Sequence, residues 1–286
     1  MASTTSTTST AAAPSAPGRR RPPGRAAQIL RLTRTEFTLV YRYRTALFFI
    51  AFPLLFTATG FAQQGRELTQ GMDAGAYFIC GAMVLAPLFI GLVHVSNVYT
   101  ARRESLVLKR FRVSGVPPAT LFGATLLSVL LLVLLLTAIS AGALAFRFDL
   151  VPADPLLVVL PILLTTATMV FLGLALTAVT RSAEGAQMIS MVPFFLLYAS
   201  SGQMLPMDML PDAVARVSTL LPAAPATAAV QSGYFGRDLF GGVDGPAASG
   251  LELWTAAAPS LGVMLVWLAV SVVLLRYFRW DPRQAK

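Results

Sequence analysis

The sequence predicts an all-α membrane protein in which six transmembrane helices follow an amino-terminal amphipathic helix at the membrane surface. Three observations predict it. Of 286 residues, 56% are hydrophobic and 12% charged, where a soluble domain carries about 25% charged residues. The apolar residues gather into six runs, at about residues 45–61, 76–97, 120–146, 156–180, 188–205 and 254–275. At 1.5 Å per residue each run crosses or nearly crosses a hydrocarbon core of about 30 Å. Finally, 18 of the 22 Lys and Arg residues fall on one side of this frame, which places both termini in the cytoplasm by the positive-inside rule.

The elements follow in order. Residues 1–27 are rich in Ser, Thr, Ala and Pro, bury too little to order themselves, and predict a disordered cytoplasmic tail. From Gln28 to Arg44 the apolar Leu30, Phe37, Val40 and Tyr41 fall largely opposite Arg31, Thr35, Thr38 and Arg42, the pattern of a helix lying at the headgroup boundary. The six runs follow, in a domain over residues 28–278, and residues 279–286 form a second cytoplasmic tail. None of the runs contains Asp, Glu, Lys or Arg, and a charge at the centre of a span costs about 2.5–3.5 kcal/mol. Pro53, Pro87, Pro161 and Pro193 lie inside the runs and predict local breaks in the helical ladder. Ala138 and Gly142 form one small-xxx-small pair, a signal of close helix contact.

The same composition excludes several functions. A net charge of +9 flanking apolar runs is membrane topology rather than a nucleic-acid surface. Cys80 is the one cysteine, so neither an intrachain disulfide nor a thiolate metal cluster is available. Ion-coupled transporters carry carboxylates or paired charges inside the membrane, and these runs hold no carboxylate. The phosphate-binding pattern G-x-x-x-x-G-K-[ST] is absent, so energy for uphill transport must come from another protein. The chain is expected to bind no cofactor of its own. Polar groups on spans two and five, His94, Asn97, Tyr198 and Gln203, are the substrate-pathway candidates.

Two loops carry the functional signal. Residues 103–111, between spans two and three, read as one short helix bearing Arg103, Glu104, Leu106, Leu108, Arg110 and Phe111, ended by Ser114-Gly115 and Pro117-Pro118. A surface mixing basic, acidic and apolar groups beneath the membrane suits a docking partner, with Leu108 and Phe111 as apolar anchors. After span five, Ala213, Val214, Val217, Leu220 and Leu221 form an apolar stripe behind Asp212, stopped by Pro222 and Pro225. This predicts one or two short helices folded onto the outer face of the bundle.

With these residues in view the chain resembles the permease subunit of type-2 ABC exporters. The resemblance rests on the amphipathic helix before six spans, on Arg103-Glu104 followed by Pro117, and on Ser201-Gly202, Pro206, Leu210-Pro211 and Pro222 after span five. Ser105 stands where many relatives have the glycine of an Arg-Glu-Gly-Thr-Leu pattern. The resemblance implies a dimer with a second permease copy or homologue in a bacterial plasma membrane, and two ATPase subunits that bind ATP and Mg. It implies coupling to those subunits through Arg103, Glu104, Leu108, Arg110 and Phe111. Drugs and antibiotics, polysaccharide and glycolipid are all cargoes of similar permeases, and a secondary transporter or channel is the alternative outside the family.

Overall fold

The computed structural model describes residues 24–42, 44–69, 71–203 and 206–281. The tail expected over residues 1–27 lies outside them except for residues 24–27, as do residues 282–286 of the carboxyl tail. Helix α1 (Arg25–Arg42) runs beside the start of α6 (Pro118–Phe148), where Thr33 Oγ1 donates to the Ala124 carbonyl at 3.4 Å. Helix α2 (Arg44–Phe61) leads to a small antiparallel pair, β1 (Glu67–Thr69) and β2 (Met72–Asp73).

Asp73 then starts the central rod of the molecule. Its Oδ1 accepts the Gly75 and Ala76 N–H groups at 2.7 and 3.1 Å, satisfying two of the orphan donors of a helix start. The rod consists of α3 (Ala74–Ala86), a π-helical segment (Pro87–His94) and α4 (Val95–Glu104), 31 residues in all. Pro87 has no N–H to give to the ladder, and the wider π turn begins there. The most apolar part of the rod is 89% buried inside the protein. Backbone-to-backbone approach makes this possible. A Cβ on Gly91 would sit 2.7 Å from Met169 Cβ, and one on Gly173 would meet the Gly91 carbonyl. Gly142, by contrast, faces open space, so the expected small-residue contact with Ala138 is not made within the subunit.

A break at Ser105 and Leu106 separates the rod from α5 (Val107–Val113). The single helix expected over residues 103–111 is therefore two pieces. Leu106 takes the left-handed conformation at φ 58°, which costs a non-glycine residue roughly 1–2 kcal/mol. Ser105 has φ −77°, so its place in the chain does not call for glycine. Helix α6 leads to α7 (Pro155–Leu176), whose cap Asp154 accepts Leu156 and Leu157 N–H through Oδ1 and the Trp254 indole through Oδ2 at 2.7 Å. Helix α8 (Ala183–Ala199) starts at Ser182, whose Oγ accepts Gly185 N–H, and α11 (Gly250–Leu274) closes the bundle.

Between them lie α9 (Asp212–Thr219) and α10 (Ala223–Phe235), which meet at 85°. Pro222 and Pro225 were expected to stop a helix; α9 does end before them, and Pro222 also caps the start of α10. The pair divides: α9 lies at the surface as expected, with only Ser218 buried, whereas α10 packs inside the bundle. The far end of α10 binds the start of α7, with Asp154 N–H on the Gly233 carbonyl at 2.8 Å. Its near end lies deep: the Leu220 carbonyl accepts Trp267 Nε1 at 2.8 Å, and Trp267 is 13 residues, about 20 Å, along α11 from the Trp254 that binds Asp154. The bent pair has the form of a broken span or a re-entrant wedge, and its α10 is almost wholly buried. Irregular backbone at that depth survives because protein groups such as the Trp267 indole satisfy it.

Four described helices are long and apolar enough to cross a membrane: residues 74–104, 118–148, 155–176 and 250–277; the bent pair makes a fifth if counted as one span. The apolar part of α2, Leu47–Phe61, is shorter. One rim of the bundle carries Arg102, Arg103, Lys109, Arg110, Arg112, Arg181 and Arg276, and the other carries Asp73, Asp149, Asp154, Asp208 and Glu252. We call them the basic and acidic rims.

Candidate coupling site and membrane pathway

At the basic rim the last two turns of the rod grip the turn between α7 and α8. A helix leaves carbonyls unsatisfied at its end and N–H groups at its start, with partial negative and positive charge respectively. The turn at residues 177–182 joins one such end to one such start. Arg103 and Glu104 supply the matching charges. Arg103 Nη1 donates to the Thr177 carbonyl at 2.6 Å and Nη2 to the Thr180 carbonyl at 2.7 Å. Glu104 Oε2 accepts the Ala183 N–H at 3.1 Å. One and two turns back along the same face, Thr100 Oγ1 lies 2.9 Å from Thr180 Oγ1 and Asn97 Nδ2 donates to the Ala183 carbonyl at 2.9 Å. Positions 97, 100 and 103/104 follow the helical repeat. Four side chains on one stripe thus tie the rod to the point where α7 becomes α8.

This geometry revises the expected roles. Arg103 is 1% exposed and holds the fold from inside, so it presents nothing to a partner. Leu108 is equally buried and is not an anchor for docking. Phe111 is half-buried against the core. Of the expected coupling residues, Glu104 and Arg110 are exposed, and beside them lie Leu106, Lys109, Arg112 and Val113, the last 82% exposed. A cluster of rings, Tyr99, Phe122, Phe278 and Trp280, lies behind them with centroids 5.0–6.2 Å apart, so residues 278–280 dock onto α4 and α6 rather than trailing away.

The four pathway candidates separate into two pairs. Asn97 is committed to the clamp. Gln203 is buried, with its amide facing the rod: its nitrogen toward the Gly81 carbonyl at 3.3 Å and its oxygen toward Ala82 N–H at 3.2 Å. His94 and Tyr198 instead flank one column of rings. The His94 ring lies 4.7 Å from Phe49, and the column continues through Phe52, Phe89 and Phe194 to Tyr198, with neighbouring centroids 4.3–6.3 Å apart. Among the described residues the buried His94 Nδ1 and Tyr198 hydroxyl have no hydrogen-bond partner. An unsatisfied buried polar atom costs about 1–3 kcal/mol, and these two lie at the ends of the aromatic column. The phenylalanines were missed in the sequence although Phe49, Phe52 and Phe56 stand at helical spacing. Among the described residues no three of His, Cys, Asp and Glu come together as metal ligands.

Comparison with known families gives one result. A family model described as ABC-2 family transporter protein matches residues 51–277, which includes the rod, the clamp and the aromatic column apart from Phe49. No curated protein matches the chain.

Proposed function

Since the chain belongs to the ABC-2 family of transporter proteins, a membrane permease whose ATPase sits on a separate subunit, we propose that it is an exporter subunit for an amphiphilic, aromatic cargo. In this reading α2, the rod, α6, α7, α8 and α11 are six spans, the wedge is re-entrant, and the basic rim faces the cytoplasm. Two ATPase subunits, which hold ATP and Mg, bind that rim, and a second permease copy or homologue completes the pathway.

The observation that carries the reading is the clamp. Glu104 adjoins Arg103 at the end of α4, and the exposed face of α5, with Lys109, Arg110 and Arg112, is one short break further on. A partner that moves α5 therefore pulls on Asn97, Thr100, Arg103 and Glu104, and through them on the start of α8. The far half of α8 carries Phe194 and Tyr198. A stroke delivered at the rim so reaches the aromatic column along α8, through Pro193. Apolar rings with one imidazole and one phenol suit a planar, weakly polar molecule such as an aromatic drug or antibiotic.

The test is transport by the chain reconstituted with its ATPase. Phe89→Ala and Phe194→Ala are expected to lower uptake of aromatic cargo while ATP hydrolysis continues. Glu104→Ala is expected to separate hydrolysis from transport. Accumulation driven by a proton gradient in vesicles lacking ATPase would overturn the reading in favour of a secondary transporter.

A further inference from the structure

A groove of about 450 Å³ lies between α7, α8, the apex of the wedge and α11. Its walls include Ala175, Val179, Leu196, Pro222, Trp267 and Tyr277. Because the Trp267 N–H is already given to the Leu220 carbonyl, the interior offers hydrocarbon and no hydrogen bond. The volume lies within the roughly 300–1,000 Å³ of ligand sites. The groove opens sideways, since Val179, Leu196 and Tyr277 are each more than half exposed.

The mouth at the basic rim is cationic. Arg276 Nη2 donates to the Tyr277 hydroxyl at 3.0 Å, and its guanidinium lies 4.9 Å from the centre of that ring. Arg181, also exposed, follows the wall residue Val179 by two positions. An apolar slot leading away from two arginines has the polarity of one molecule of an acidic lipid. A second copy of this chain is the competing occupant, and the oligomeric state in the test below separates it from lipid.

We propose that the groove binds an anionic phospholipid, with one acyl chain along Ala175, Leu196 and Trp267 and the phosphate between Arg276 and Arg181. Each methylene withdrawn from competing contacts adds to retention, and each arginine near an anionic headgroup favours it severalfold. This site is separate from the aromatic column and does not depend on what the protein exports.

Trp267 gives a local readout. With Trp254→Phe and Trp280→Phe it becomes the sole tryptophan, and the chain is placed in vesicles of equal phosphatidylglycerol and phosphatidylcholine with bromine on the chains of one or the other. Brominated phosphatidylglycerol is expected to quench Trp267 at a mole fraction lower by on the order of tenfold. Arg181→Ala with Arg276→Ala is expected to abolish that preference, and Ala175→Phe to weaken quenching by both lipids. Lipid extracted from the otherwise unaltered chain after detergent purification from the same vesicles is the second readout, expected to be enriched in phosphatidylglycerol. Equal quenching by the two lipids with no enrichment would overturn the proposal. So would an Ala175→Phe protein that keeps its lipid but changes its oligomeric state, which would mark the groove as a contact between copies.

Discussion

The central rod and α11 contain equally apolar stretches, yet that of the first is 89% buried inside the protein and that of the second 11%. Lipid and protein interior are nearly equivalent solvents for a leucine, so hydropathy says that a segment leaves water and nothing about which solvent it enters. What separates the two helices is the detail of their surfaces. The rod has glycines where α7 comes close, a π turn at Pro87, and hydrogen-bonding side chains at 97, 100, 103 and 104. Exposed valines and leucines cover α11 instead, at 265, 266, 270, 272 and 273.

The sharpest way to break this comparison is to place the same side chain on each helix. Gly173→Leu, opposite the rod, drives atoms into the Gly91 backbone and is expected to destabilise by about 3 kcal/mol or more, seen as loss of the monodisperse peak on gel filtration. Gly262→Leu on α11 meets nothing within 4 Å and is expected to leave the peak unchanged. Equal effects would show that the burial difference is not real.

Removing Arg103 is the next largest change. Arg103→Ala takes away two charge-assisted bonds to carbonyls that water cannot reach, each worth roughly 1.5–3 kcal/mol. Thermal unfolding in detergent should fall, and transport should fall with it. Arg103→Lys keeps the charge and loses the two-pronged geometry, so it is expected to recover part of the stability.

Glu104→Ala should cost less, about 1 kcal/mol, because one exposed carboxylate at a helix start does the work of an N-cap. It is expected to fold and insert normally while stimulation of the ATPase by cargo is lost. Glu104→Gln keeps an acceptor for Ala183 N–H and should retain part of the coupling. Wild-type coupling in both variants would reduce the clamp to a purely structural staple.

The smallest effect belongs to the lipid-facing surface. Val266→Ala removes methyl groups that contact acyl chains in either case and should shift stability by no more than about 0.5 kcal/mol. A larger loss would place a protein surface, a second permease copy for example, against α11.

Much of this molecule was legible before its structure. The all-helical membrane character and the approximate places of the long helices follow from residue type and order, although the second helix continues two turns past its expected end at Asn97, to Glu104. Less was legible in the roles of single residues. Arg103 and Leu108 look like surface groups in a basic loop, since nothing local distinguishes an arginine facing water from one facing two carbonyls 74 and 77 residues away. Pro222 reads equally as the end of one helix or the start of the next, because its missing N–H is harmless at both places.

The sequence by itself determined which segments leave water and which rim carries the basic charge, because those depend on the summed transfer energy of local side chains. The tertiary structure alone decided that the rod is central, that α10 is buried in the bundle while α9 stays at its surface, that a cation and an anion at adjacent positions seize opposite helix ends, and that His94 and Tyr198 close one column of rings. Each of those is a contact between residues far apart in the chain, and no local sum of propensity or hydropathy contains it.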